Sequence, residues 1–305
     1  MTQTLRMGTR GSALALAQSG QLAREISART GVSIETVEIT TQGDAVQDRQ
    51  LVEIGGKGLF VKAIETALLN GEVDFAVHSL KDMPFRVAEG LTLIAIPPRA
   101  DPRDVLIGSD RNPARIGTGS PRRVLQLREL FPVSEFVPLR GNIDTRIGRV
   151  GHSDPARALD AVILAAAGLG RLGAQTQQPI RPLSVQECIP CAGQAFLAIE
   201  ARVDSPHLEL LRSVDDARAH ALADLERLVL AHFEADCTLP VGVFAEPRDT
   251  GAIIHVGLFA QQLPGMRRKI ELPQLSDHNR LQRKLDQMLT DGGRVLLDQN
   301  RAGQA

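Results

Sequence analysis

The sequence predicts an α/β fold built from two related halves, followed by a small α+β unit. Three observations carry that prediction. Val73, Phe75 and Val77 alternate with Asp74 and Ala76, the pattern of a short buried strand, before the chain breaks into His78-Ser79-Leu80-Lys81-Asp82-Met83-Pro84. The turn Met7-Gly8-Thr9-Arg10-Gly11-Ser12 is echoed by Arg115-Ile116-Gly117-Thr118-Gly119-Ser120-Pro121, and the strand at Val73 by Leu159-Asp160-Ala161-Val162-Ile163-Leu164. Near the end, Val243 to Ala245, Ile253 to Phe259 and Lys269 to Leu272 read as antiparallel strands.

Each element follows from its local chemistry. Leu5-Arg6-Met7 is a first strand; a helix then begins near Ala13 with Ser12 as its N-cap. Such a glycine-rich turn into a helix start has two readings, an anion site supported by Arg10 or an ordinary connection. Ile34 to Thr40 is a second strand. Gly55-Gly56-Lys57-Gly58 then precedes a helix from about Leu59, with Phe60, Ile64, Ala67 and Leu68 on one apolar face. Three glycines around Lys57 describe a loop able to close over a ligand, or a surface loop with no role. Leu91 to Ile96 is another strand, and Pro97 to Arg103 a stiff polar crossing into a second sheet that begins at Asp104.

In the second half, Ser120 is the expected N-cap and Pro121 the first helical residue, with Leu125, Leu127 and Leu130 continuing the helix. Basic residues gather at its turns: Arg122, Arg123, Arg140, Arg146 and Arg171. Each alone reads as a solvated surface group. Together they suit a ligand with several carboxylates, because the guanidinium fork pairs carboxylate oxygens two at a time. Cys188-Ile189-Pro190-Cys191 is a C-x-x-C pair in a poor context for redox chemistry or zinc, and is read as a loop entering a helix over Gln194 to Ala201. Asp216 to Phe233 is a long helix, and a last helix runs from His278 to about Leu289. Cys237, ahead of Pro240-Val241-Gly242, is either a buried inert thiol or one projecting into a cleft.

Composition removes several classes. A formal net charge of −1 gives no global field for nucleic acid, and the absence of Trp and Tyr removes the usual base-stacking platform. The apolar run Ala161 to Leu169 is too short to span a bilayer, and Met1 to Arg6 offers no signal-peptide core. Three cysteines do not make a disulfide framework. The expectation is a cytoplasmic protein without a metal, a nucleic-acid partner or a membrane partner.

Several stretches carry a resemblance. Thr9-Arg10-Gly11-Ser12, Gly55-Gly56-Lys57-Gly58-Leu59-Phe60, Ala76-Val77-His78-Ser79-Leu80-Lys81-Asp82, Arg122-Arg123, Leu139-Arg140-Gly141-Asn142, Ala167-Gly168-Leu169 with Arg171, and Cys237 before Pro240-Val241-Gly242 together resemble the porphobilinogen deaminase (hydroxymethylbilane synthase) family of tetrapyrrole biosynthesis. The resemblance implies two domains like type II periplasmic binding proteins and a small α+β C-terminal domain with a three-stranded antiparallel sheet. It implies a dipyrromethane cofactor in thioether linkage to Cys237, and condensation of four porphobilinogen molecules onto it with loss of ammonia. Asp82 is the implied catalytic residue. Arg10, Ser12, Lys81, Thr118, Ser120, Arg122, Arg123, Arg140, Arg146, Arg171 and Gln194 are implied to hold cofactor or substrate, and Lys57 and Phe60 to belong to an active-site loop.

The expected boundaries are 1-98 with 195-215 for the first domain, 99-194 for the second and 216-305 for the third, in a monomer. Two departures from the family pattern stand out: Ala235-Asp236 where the family has two glycines before the cysteine, and Ala195 where it has glycine after Gln194. Both put a Cβ where the backbone is expected to need glycine's freedom. The rival reading, from the internal repeat alone, is a solute-binding or sensory protein with an anion cleft.

Overall fold

The computed structural model describes residues 4–40, 61–235 and 239–302. Its first sheet contains β1 (Thr4–Thr9), β2 (Ser33–Glu38), β3 (Phe75–Ser79), β4 (Leu91–Ala95) and a late strand, β10 (Leu197–Arg202), in the order β2-β1-β3-β10-β4. The second contains β5 (Asp104–Gly108), β6 (Arg115–Gly117), β7 (Glu135–Val137), β8 (Ala161–Ala165) and β9 (Ile180–Pro182), in the order β7-β6-β8-β5-β9. The two orders match position for position. In each, three parallel strands are followed by an antiparallel one, β10 in the first sheet and β5 in the second. The predicted pair of related α/β units is therefore present, and the chain crosses between them twice.

Helix packing follows the sequence pattern. In the first unit, Leu22 and Ile26 of α1 (Ala13–Thr30) pack with Leu5, Met7, Phe75 and Ile199 on one face of the sheet. Ile64 and Leu68 of α2 (Lys62–Leu69) cover the other face over Val73 and Ala76. Ser12 caps α1 as expected, its Oγ accepting from Ala15 N at 3.3 Å. In the second unit, α3 (Pro121–Leu127) starts with Pro at its first turn, but Ser120 makes no side-chain capping bond. The Ser120 amide instead donates to Thr118 Oγ1 at 3.3 Å. The helix also stops before Leu130, short of the predicted extent.

The third unit is the predicted α+β element. Helix α4 (Ala217–His232) packs on the antiparallel sheet β11 (Val241–Pro247), β12 (Ala252–Leu258) and β13 (Met266–Leu272). Helix α5 (His278–Met288) follows, and a further helix, α6 (Arg294–Ala302), lies beyond a break at Gly292, whose φ is 116°. The sequence reading ended at the first of these two helices.

The expected helix over Gln194 to Ala201 is overturned. Leu197 to Arg202 is strand β10, seated between β3 and β4. Ala, Leu and Glu have high intrinsic helix propensity, but the slot between two sheet strands prevails over it. Leu197, Ile199 and Ala201 alternate with Ala198 and Glu200, a period-two pattern in which nearly every position is buried on both faces.

Candidate active site

The Lys81-Asp82 pair sits where β3 ends, in a single 3₁₀ turn, Leu80–Asp82. Leu80 and Met83 on either side are buried at 2% and 6% exposure, in the same core cluster as α4 and the third sheet. Burying each such side chain contributes about 1.5–3 kcal/mol. The turn is thus nailed down at both ends while Asp82 itself is exposed.

Asp82 borders two cavities. The larger, about 390 Å³, is walled by Lys81, Asp82, Phe85 and Arg86 from the first unit and by Ser120, Arg122, Arg123 and Gln194 from the second unit and its return crossing. Its remaining wall includes Leu230, Ala235 and Leu239 of the third unit. The smaller, about 60 Å³, is lined by Arg10, Ser12, Gln18, His78 and Ser79 along with Asp82. Ser79 Oγ donates to Gln18 Oε1 at 3.0 Å, which fixes the floor between them.

Arg122 and Arg123 are almost fully buried on the first turn of α3, and both engage Asp104. Burial by itself would raise the Asp104 pKa; the charges of the two arginines and their hydrogen bonds outweigh it and hold the carboxyl well below the usual carboxylate range. Cys188 donates to the same carboxylate at 3.4 Å, and burial, with the Asp104 charge adding, pushes its thiol up to about 12. Cys191 Sγ faces Gln194 Oε1 at 3.5 Å. The two thiols have separate acceptors and are both free.

The other predicted arginines have distinct settings. Arg146 Nε donates to Gly141 O at 2.7 Å, and its pKa is lowered by burial and then by the nearby charges of Arg123 and Arg140. Arg140 is exposed. Thr118 is buried behind Ser120. Arg171 lines a different cavity, with Gln21, Glu25 and the crossing Pro97 to Asp101. Its Nη2 donates to Ala195 O at 2.6 Å, and burial draws its pKa down to about 10. Lys57, Phe60 and Cys237 lie outside the described residues.

The family model described as "Porphobilinogen deaminase, dipyromethane cofactor binding domain" matches residues 5–209. The chain belongs to the porphobilinogen deaminase family. It is 48% identical over 256 residues to porphobilinogen deaminase 1 of Streptomyces coelicolor, spanning 80% of this chain and 78% of that one. It is 42% identical over 318 residues to the porphobilinogen deaminase of Syntrophus aciditrophicus, spanning 98% of this chain and all of that one. Among solved structures, a periplasmic substrate-binding protein of an ABC transporter from Coxiella burnetii covers 73% of this chain at 13% identity, with a TM-score of 0.42.

Family membership brings a dipyrromethane cofactor, and the cavity fits one. Dipyrromethane carries several carboxylates on two flat apolar rings. The larger cavity is lined both by the arginines and by the apolar side chains of Met83, Leu230, Leu239 and Val241. Ala235 and Leu239, the nearest described residues on either side of Cys237, both line it. Among the described residues no group of His, Cys, Asp or Glu could hold a metal ion, and no helix is long and apolar enough to cross a membrane.

Sequence reasoning missed Asp104, Arg99 and Glu226. Asp104 left one signal, a charge at the head of the apolar run Val105-Leu106-Ile107. Glu226 left a similar one, an acid among the apolar positions of α4. Neither signal names its partner.

Proposed function

We propose that the chain condenses four porphobilinogen molecules head to tail, with loss of ammonia at each step, and then releases the linear tetrapyrrole by hydrolysis. The observation that carries this reading is the position of Asp82, bordering both an arginine-walled cavity and the smaller cavity of Arg10 and Ser12. When bound, dipyrromethane supplies the nucleophilic carbon that receives the first unit, and Cys237 is its thioether anchor. Arg122, Arg123, Arg140 and Arg146 take the acetate and propionate groups, with Ser120, Thr118 and Gln194 supporting them. Arg10, Ser12 and Lys81 serve the same anions from the first unit, and Arg171, which lines a separate cavity, acts through its hold on Ala195 O beside Gln194. Lys57 and Phe60 are active-site-loop residues in this reading, on the motif Gly55-Gly56-Lys57-Gly58-Leu59-Phe60 that they share with the family.

Asp82 works on charge. As the aminomethyl C–N bond of porphobilinogen breaks, the electron pair leaves with nitrogen and a cation spreads over the pyrrole ring. A carboxylate about 4 Å from that cation contributes roughly 4 kcal/mol at an effective dielectric of 20. If gained only in the transition state, that is about a thousandfold in rate. The free α-carbon of the growing chain bonds to that cation, and the same carboxylate can accept the proton which this α-carbon then loses.

Residues 1-98 with 195-215, 99-194 and 216-305 form the three domains of a cytoplasmic monomer. Membership of the three sheets supports these boundaries. The test is intact mass: the purified chain is expected to exceed its sequence mass by two linked pyrrole units, located on the peptide containing Cys237. An unmodified, active chain would refute the anchor. Asp82→Asn is expected to lower turnover by at least about a hundredfold with the melting temperature retained; full activity in that variant removes Asp82 from its role.

A further inference from the structure

Arg122 and Arg123 are adjacent, 4% and 8% exposed, and carry like charges. Two neighbouring guanidiniums cannot be buried together without a counter-charge, because each loses its water and repels the other. The fully buried Asp104 supplies that charge with nearly every lone pair used. Its Oδ1 accepts from Arg123 Nη2 at 2.8 Å, Arg123 Nε at 3.2 Å and Gln194 Nε2 at 2.9 Å. Its Oδ2 accepts from Arg122 Nη2 at 2.8 Å and Cys188 Sγ at 3.4 Å. Backbone carbonyls of Ile189 and Ile163 complete the grip on the two arginines.

The carboxylate also reaches across the fold. Asp104 opens β5, just after the first crossing, and Gln194 lies on the second. Gln194 Nε2 bridges Asp104 and Pro102 O, at 2.9 and 2.7 Å. Its neighbour Gly193 is pressed against the backbone of Leu80 and Lys81: a Cβ on Gly193 would lie 2.8 Å from Lys81 N. A continuous path therefore runs from the arginine wall through Asp104 and Gln194 to the turn that carries Asp82. One carboxylate against two guanidiniums leaves a net positive charge at the wall, as an anion site requires.

We infer that Asp104 positions the Arg122–Arg123 pair for anion recognition and sets its distance from Asp82, a role that rests on the function proposed above. Asp104 is a positioning residue, with no direct contact to substrate required. Asp104→Asn keeps the shape and removes the charge. It is expected to raise KM for porphobilinogen at least about tenfold, the size of one lost charged hydrogen bond, with a smaller change in kcat. The double variant with Arg123→Gln should be no worse in KM than Asp104→Asn alone, since the loss of the carboxylate already releases Arg123 along with Arg122.

An unchanged KM, a loss confined to kcat, or additive effects would overturn the inference. If Asp104→Asn does not fold, Cys188→Ala loosens the same carboxylate while leaving both ion pairs, and a KM rise of about twofold to threefold is expected; no rise there overturns it as well. A wild-type chain without porphobilinogen turnover would instead defeat the function reading, so the two failures are distinguishable.

Discussion

Ala195 holds a φ of 73°, a left-handed conformation that costs a residue with a Cβ about 1–2 kcal/mol. Its carbonyl explains why the conformation persists: it accepts from Arg171 Nη2 at 2.6 Å and from Ala100 N at 3.4 Å, joining both crossings. The backbone here takes the left-handed conformation for which glycine was expected, and Ala195 bears the strain. Ala195→Gly should relieve it, less about 0.4–1 kcal/mol for the freer unfolded chain. The expected outcome is a melting temperature higher by about 1–3 °C with KM unchanged, read by calorimetry; a lower melting temperature would contradict the strain. At this scale the position of Asp82 was legible, because a polar run directly after a buried strand marks a strand-end turn. Asp104 was not, because its meaning lies in Arg122, Arg123 and Gln194, which come from separate segments.

Gly193 shows the same loop acting as an element. Its φ is also 73°, and its Cα packs on Leu80 C and Lys81 N so closely that a Cβ would come within 2.9 and 2.8 Å of them. Both neighbours are backbone and cannot swing away. Gly193→Ala must therefore displace the Leu80–Asp82 turn or the crossing, and a shift of about 1 Å at a reacting group can cost a hundredfold in rate. A kcat lower by at least about tenfold, together with a lower melting temperature, is expected; unchanged kcat would mean that the crossing does not set the turn. The elements themselves were mostly legible from period and caps. Strand β10 was the exception, since a strand buried on both faces lacks a polar alternation, and its Ala-rich composition matches a helix equally well. Its place in the first sheet depends on partners more than a hundred residues earlier, Val77 and His78 among them.

Across the whole molecule, the internal repeat was legible because each half writes its own turn and strand into a short stretch of sequence. The joint between the units was not, since it is assembled from four distant segments. Arg99 of the first crossing stacks on Phe196 and Phe244, at 4.1 and 4.9 Å from their ring centres. It pairs through Nη1 with Glu226 of α4 at 2.7 Å, while its Nε donates to Gln194 O at 2.9 Å. The fully buried Glu226 also accepts from Gly193 N at 2.7 Å and Ala245 N at 2.8 Å. One carboxylate thus binds both crossings to the helix and the sheet of the third unit. Glu226→Gln removes its charge and turns an amide donor toward donors, leaving Arg99 buried without a counter-ion. Breaking a buried pair in this way costs about 3–5 kcal/mol. The expected result is a melting temperature lower by roughly 5–10 °C, with the earliest gain in amide exchange in α4 and β11. A melting temperature within about 1 °C of the parent would show that the third unit is held by its apolar core alone.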